Sequence, residues 1–253
     1  MSLLSLQHLV KSFGGLIAVH DVNFEVQRGS IVGLIGPNGA GKTTIFNVIT
    51  GNYRPDSGRV IFDGKDITGR GIHEIVGMGI ARTFQNIRLF QDMSALENVL
   101  SGCHCRMKSG LFSSMFHTPG QRREEKEAVE RAMRELAFVG LDAQYRTMAG
   151  SLPYGKQRLL EIARALATVP KFLILDEPAG GMNDQETAEL IQLIRAIRDQ
   201  GITILLIEHD MNLVMCVCDN LVVLEYGALL AEGTPTEIKS NSKVIEAYLG
   251  TDE

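Results

Sequence analysis

The sequence predicts an α/β fold with a mainly parallel core sheet, an N-terminal antiparallel β lobe and an inserted helical lobe. Three patterns predict it. Ser30–Ile35 is almost continuously apolar, leads into a glycine-rich turn and is followed by a helical pattern at Lys42–Thr50. Two further apolar runs, Phe172–Leu175 and Ile202–Ile207, bracket the helical pattern of Asp184–Asp199. Between these sets, from about Asn86 to Gly150, the pattern is helical throughout. Unalternated apolar strands are buried on both faces, and strands alternating with helices form parallel sheets because each crossover helix covers a face.

The elements follow in order. Leu4–Val10 and Val22–Val26 alternate partly between apolar and polar residues, as antiparallel strands with one wet face do. Gly51 is placed to cap the Lys42–Thr50 helix. Pro55-Asp56-Ser57-Gly58 is a turn, and Arg59–Phe62 before Asp63-Gly64 reads as a strand entering a hairpin. In the charged stretch Gln121–Val139, the apolar positions Ala128, Val129, Ala132, Met133 and Leu136 recur on a helical period. Glu127/Arg131 and Glu130/Arg134 are spaced to pair along that helix. Ser109–Gly120, rich in Ser, Gly and Phe, reads as a loop. Asp184–Asp199 directs Leu190, Ile191, Ile194 and Ile197 to the core, and Leu221–Leu224 is a further strand. Thr234-Pro235-Thr236-Glu237 combines an N-cap Thr, a Pro at the first helical position and a Glu at the third, which predicts a helix at Pro235–Ser240. The whole reads as a single domain: a core of about 1–85 and 151–253, with the helical insertion at about 86–150.

With 253 residues, 45% hydrophobic and 22% charged, the chain can bury a sizeable core. A net charge of -5 gives no global basic field, so nucleic acid is not an expected partner. No apolar run reaches the length of about 18 residues that a spanning helix needs. Met1–Lys11 lacks the basic leader and unbroken apolar stretch of a signal peptide, so a cytoplasmic location is expected. The four cysteines form two CxC pairs, Cys103/Cys105 and Cys216/Cys218. Zinc pairs usually read CxxC, so reduced thiols, two or more of them buried, are expected rather than a metal site.

Two motifs carry chemistry. Gly36-Pro37-Asn38-Gly39-Ala40-Gly41-Lys42-Thr43 fits the phosphate-loop pattern G-x-x-x-x-G-K-[ST] and continues into Thr44. Its glycines let successive backbone N–H groups point into one anion-sized hollow, and the helix that follows adds its positive end. Lys42 supplies a point charge for the outer phosphates of ATP, and the Thr43 hydroxyl is a ligand for Mg2+. The second motif is an apolar strand, Phe172–Leu175, ending in Asp176-Glu177-Pro178. Asp176 is placed to hold Mg2+, directly or through water, and Glu177 to orient and polarise the attacking water.

With these residues in place, the chain resembles the ATP-binding-cassette (ABC) family of P-loop ATPases over nearly its whole length. The resemblance implies further roles. Gln85 in Thr83-Phe84-Gln85 looks like the glutamine that senses Mg2+ and water and couples to a transmembrane partner. His209 in Ile207-Glu208-His209-Asp210 looks like the histidine that contacts the γ-phosphate. Phe13 matches the aromatic that stacks on adenine, with core packing as its plain alternative. Gly180-Gly181-Met182-Asn183 occupies the D-loop position. Where the family signature reads Leu-Ser-Gly-Gly-Gln, this chain has Leu152-Pro153-Tyr154-Gly155-Lys156, then Gln157-Arg158. Pro153 has neither hydroxyl nor N–H, so the site this segment completes is expected to be weakened or to rely on the Gly155 N–H and the helix dipole.

That departure, the D-loop Gly181-Met182-Asn183, the Leu111-Phe112 to Pro119 segment and the closing Val244–Gly250 resemble one of the two ATPases of bacterial branched-chain amino acid importers. The implied partners are a second, different ATPase, transmembrane permease subunits and, indirectly, a solute-binding protein, at the cytoplasmic face of the membrane. A soluble relative acting on DNA or ribosomes would carry a long coiled-coil insertion or a second cassette. A GTPase would carry an Asn-Lys-x-Asp reader, and this sequence has none. A motor for another transported substrate stays open, because the cargo is chosen by other subunits.

Overall fold

A computed structural model describes residues 1–103 and 119–249, with the backbone alone described at 119–122 and 249. Cys105, most of the predicted Ser109–Gly120 loop, the Leu111-Phe112 segment and Gly250 lie outside the described residues. In chain order the elements are β1 (Ser2–Phe13), β2 (Leu16–Gln27), β3 (Ile31–Ile35), α1 (Lys42–Ile49), β4 (Ser57–Phe62), β5 (Lys65–Asp66), α2 (Ile72–Met78) and β6 (Ile80–Arg82). Then come α3 (Ala95–Cys103), α4 (Pro119–Phe138), α5 (Tyr154–Leu166), β7 (Phe172–Asp176), α6 (Asp184–Asp199) and β8 (Thr203–Ile207). The chain continues through α7 (Met211–Val217), β9 (Asn220–Glu225), β10 (Ala228–Gly233), α8 (Pro235–Lys239) and α9 (Ser242–Leu249).

Packing divides these elements into two units. The first holds Met1–Arg82, Lys171–Ala179 and Asp184–Glu253, the second Thr83–Pro170 and Gly180–Asn183. In the first unit an antiparallel sheet of order β2-β1-β4-β5 accompanies a six-stranded sheet of order β10-β9-β3-β8-β7-β6. Strands β9, β3, β8, β7 and β6 run parallel, and β10 adds an antiparallel edge. Every residue of β3, β7 and β8 is buried, as their unbroken apolar runs require. One core cluster joins the two sheets through Ile45, Phe46 and Ile49 of α1, and the Phe62 and Phe172 rings meet edge to face at 6.1 Å. The β4–β5 hairpin turns at Asp63 and Gly64, both with positive φ (50° and 73°), the backbone that an Asp-Gly turn serves. The Thr234 and Glu237 side chains close a reciprocal cap on α8.

In the second unit α5 packs on α3 and α4. Gly102 of α3 approaches so closely that an added Cβ would lie 2.3 Å from the Arg164 carbonyl oxygen. The sequence predicts a helical insertion at about 86–150, and packing groups Thr83–Pro170 in this unit. The apolar period of Tyr154–Leu166 shows that a face is buried but not which helices bury it. On α4, Ala128, Ala132 and Leu136 are buried as predicted, while Val129 is 40% exposed. Among the described residues the ion pairs on this helix are Arg123–Glu127 and Lys126–Glu130 rather than the two predicted. The helix already begins at Pro119, inside the predicted loop. On α6, Leu190, Ile194 and Ile197 are buried and Ile191 is half-buried.

Candidate nucleotide site

Parallel strands deliver the candidate residues to one edge of the six-stranded sheet, because each is followed at its C-terminal end by a loop on the same side. Strand β3 ends at Ile35 and enters Gly36–Thr44. β7 ends at Asp176, opposite Ile207 of β8, and Glu177 donates its N–H to the Ile207 carbonyl at 2.9 Å. β8 leads to Glu208 and His209.

The loop needs its glycines at specific points. Gly36, Gly39 and Gly41 have φ of 149°, 81° and 99°. A Cβ on Gly36 would lie 2.2 Å from the Leu224 carbonyl oxygen, and one on Gly41 2.5 Å from that of Ala18, whereas Gly39 has open space. The Ala40 N–H donates to the Pro37 carbonyl at 3.2 Å, and Gly227 N–H to the Ala40 carbonyl at 3.2 Å, which pins the loop to the β9–β10 turn. Gly41 is the N-cap of α1, and a glycine supplies no side-chain cap, so the first amides of that helix are left to a ligand or water. Pro37 and Thr44 are half-buried, Asn38 and Thr43 exposed.

The Lys42 ammonium folds onto its own loop, donating to the carbonyls of Gly36 (2.6 Å) and Pro37 (2.9 Å). Burial pushes its pKa below the usual lysine value, and the Glu177 carboxylate opposes that shift, so loop and β7 terminus share one electrostatic environment. Two carbonyl dipoles hold the desolvated cation where a full anion would hold it more strongly. At the end of β7, Asp176 Oδ2 accepts from the Arg82 guanidinium at 2.8 Å, while the same guanidinium donates to Asn47 Oδ1 at 2.8 Å. The carboxylate thus already binds a cation, and its oxygen chemistry suits Mg2+. The residues present therefore fit both a phosphate chain and a magnesium ion.

Glu177 sits at φ 46°, a left-handed backbone unusual for a side chain this long, and such strain gathers at functional positions. His209 Nδ1 lies 3.9 Å from Glu177 Oε2 and 3.8 Å from Glu208 Oε2, and the His209 ring is largely exposed. Glu208 is buried and accepts N–H bonds from Ala179 (2.8 Å), His209 (3.1 Å) and Asp210 (3.4 Å). Burial nevertheless raises its pKa. Phe13 is not a core residue: it is 43% exposed at the end of β1, edge to face with Tyr53 at 5.2 Å and with Lys11 Nζ 5.3 Å from the ring centre.

In the second unit, Gln85 is exposed, and its carbonyl accepts from the buried Arg158 guanidinium, which also donates to the Phe84 carbonyl at 2.6 Å. Pro153 is the N-cap of α5 and lacks any side-chain cap. Leu152 and Gly155 are buried, Lys156 is half-buried and the Tyr154 ring is exposed. That ring lies over the Gly181 backbone, where an added Cβ would come within 2.9 Å of it. Gln157 Nε2 donates to the Leu152 carbonyl at 2.8 Å.

Arg82, Glu208 and Arg158 have structural roles that the sequence reading did not assign. Arg82 was visible as a lone charge closing the short apolar run before Thr83. Glu208 and Arg158 had no signal beyond adjacency to motif residues. Among the described residues no cluster suits a metal held by Cys and His. Cys103 and Cys218 are buried thiols and Cys216 is exposed.

A phosphate-loop glycine turn leading into a helix, an Asp-Glu strand terminus beside it and a histidine after the next strand recur in many P-loop ATPases; the match over the whole chain decides between them. The ABC transporter family model matches residues 19–180, and the model for the branched-chain amino acid ATP-binding cassette transporter matches residues 228–253. The chain belongs to the ABC transporter family, as an ATP-binding cassette.

This cassette is 48% identical over 249 residues to the high-affinity branched-chain amino acid transport ATP-binding protein BraF of Pseudomonas aeruginosa, with 98% of each chain covered. It is 49% identical over 249 residues to the corresponding protein LivG of Escherichia coli K12, again with 98% of each covered. Among solved structures, the ADP conformation of an ATP-binding cassette of an ABC transporter superimposes with a TM-score of 0.87 at 37% identity, covering 99% of both chains. The cassette is therefore an ATPase subunit of the ABC class, with the fold the sequence predicted. Among the described residues no helix is long and apolar enough to cross a membrane.

Proposed function

We propose that this cassette hydrolyses ATP to drive the import of branched-chain amino acids, as one of two different ATPases in the transporter. The observation that carries the ATPase site is the Lys42 ammonium, desolvated within the field of Glu177 and held by the loop carbonyls of Gly36 and Pro37. The C-terminal match at residues 228–253 and the names of the relatives carry the cargo class.

In this reading the amides of Gly36–Thr44 and the Lys42 ammonium hold the phosphates, and Phe13 stacks on the adenine. Thr43, Asp176 and Gln85 hold Mg2+, which neutralises charge on the phosphates. Glu177 orients water for in-line attack, and His209 contacts the γ-phosphate. Leu152, Pro153, Tyr154, Gly155 and Lys156 complete the nucleotide site of a second cassette, with the amides that start α5 doing the work of the missing serine. The second unit engages permease subunits at the cytoplasmic face of the membrane, and a solute-binding protein acts on the far side.

Reconstitution tests this. The chain, co-expressed with its membrane and cassette partners and placed in liposomes, should support ATP-driven uptake of leucine, isoleucine or valine from a loaded binding protein. Lys42→Ala in this chain should stop it. Uptake of an unrelated solute, with none of these three, would overturn the cargo assignment.

A further inference from the structure

Two buried side chains on α5 hold the segment that carries Gln85. Arg158 and Glu161 are 3% and 1% exposed, with the guanidinium 3.5 Å from Glu161 Oε2. Arg158 Nη1 donates to the Phe84 carbonyl at 2.6 Å. Arg158 Nη2 donates to the Gln85 carbonyl and, at 3.1 Å, to the Tyr154 hydroxyl. Glu161 accepts the Arg88 N–H at 3.2 Å. Residues 84–88 lie outside the helices and strands, so α5 supplies bonds that a ladder would supply elsewhere. The Tyr154 ring in turn covers the Gly181 backbone, where a Cβ would come within 2.9 Å of it. One guanidinium therefore joins Gln85, Tyr154 and, through the Tyr154 ring, Gly181, all within the second unit.

Stability alone is a poor reason for this arrangement. Desolvating a guanidinium opposes folding, and an apolar side chain could fill the same volume without that penalty. Arg158 Nε, moreover, finds no hydrogen-bond partner among the described residues. What the guanidinium adds is geometry, because its rigid fork reaches several acceptors in fixed directions. We propose that Arg158 is a positioning residue for coupling, which makes the Gln85 segment move as one piece with Tyr154 of the signature and Gly181 of the D-loop. A displacement of Gln85 by a permease subunit then reaches the segment that completes a second cassette's nucleotide site. This rests on the reading of Gln85 as the coupling glutamine and of Leu152–Lys156 as the part that serves the second cassette.

The reconstituted transporter supplies the test, with ATP hydrolysed per leucine taken up as the readout. Arg158→Lys keeps the charge beside Glu161 but replaces the fork by one ammonium, which cannot hold the Phe84, Gln85 and Tyr154 oxygens in the same fixed directions. The ATP used per leucine should rise about 5-fold or more, the scale of one hydrogen bond to a charged group. Tyr154→Phe removes only the hydroxyl and should raise the ratio too. The double variant should be no worse than Arg158→Lys alone, because both substitutions break one link. An unchanged ratio in Arg158→Lys, whether both rates fall or neither does, would make the residue purely structural and overturn the proposal. Effects of the two substitutions that simply multiply would overturn it as well. In the isolated chain the Arg88 amide should exchange slowly in the wild type and faster in Arg158→Lys, and equal exchange would also overturn it. Gln85→Ala separates the two readings. A wild-type ratio in that variant would remove Gln85 from coupling, while Arg88 exchange would still decide whether Arg158 holds the segment.

Discussion

Single residues in the loop are constrained for different reasons. Gly39 and Gly41 both have positive φ, but only Gly41 is backed by a neighbouring carbonyl. Gly39→Ala should cost about 1–2 kcal/mol of backbone strain, whereas Gly41→Ala adds a further 1–3 kcal/mol or so of overpacking. Urea unfolding of the two variants would measure the difference, and equal costs would contradict the steric account. Glu177 has the reverse profile, a strained backbone spent on a side chain beside Lys42. Glu177→Gln keeps the shape and removes the charge, so ATP binding should persist while turnover falls about 100-fold or more. Normal hydrolysis by that variant would remove Glu177 from the mechanism.

At the scale of elements, the edge strand β6 earns its place in the sheet through Arg82. It is largely buried with Asp176, bonds Asn47 of α1 and lies 5.7 Å from the centre of the Phe46 ring. Arg82→Met leaves a buried carboxylate without its guanidinium and should destabilise the chain by about 3 kcal/mol. On the proposal that Asp176 holds Mg2+, MgATP should recover part of that loss, and denaturant titrations with and without MgATP would show it. Around α7, two cysteines of one CxC pair differ in environment. Burial pushes the Cys218 thiol up to about 12, while Cys216 is exposed with the Arg195 guanidinium 3.6 Å from its sulfur. At pH 8 only about one Cys218 in ten thousand is thiolate. Iodoacetamide should therefore modify Cys216 in the folded chain and reach Cys218 only after unfolding, as peptide mass spectrometry would reveal. The raised pKa also means that the unfolded chain loses this proton first, so its contribution to stability declines as pH rises above 9.

For the whole molecule, nucleotide binding and folding are one equilibrium. At about 100 times its Kd, ATP with Mg2+ should add about 2.7 kcal/mol and raise the unfolding midpoint by roughly 5–10 °C. Lys42→Ala should abolish the shift, and a shift of the same size in that variant would place nucleotide binding elsewhere. Much of this behaviour was legible beforehand. The unbroken apolar runs of β3, β7 and β8 named the buried parallel strands, and Asp63-Gly64 and Thr234–Glu237 named a turn and a cap, because in each case the residues concerned are adjacent in sequence. The bond of Arg82 to Asp176 was not legible, because no local pattern links residues so far apart in the chain.

The sequence by itself determined the fold class, the glycine-rich turn that leads from β3 into α1 and the place of Asp176 and Glu177 at the end of β7. Backbone conformation, strand burial and loop glycines are set within a few residues, so their signals are local. Only the tertiary structure decided that α5 belongs with α3 and α4, that Arg82 neutralises Asp176 and that Phe13 faces solvent. Each of these depends on which apolar face meets which, and a helical or strand period records that a face is buried without recording its neighbour.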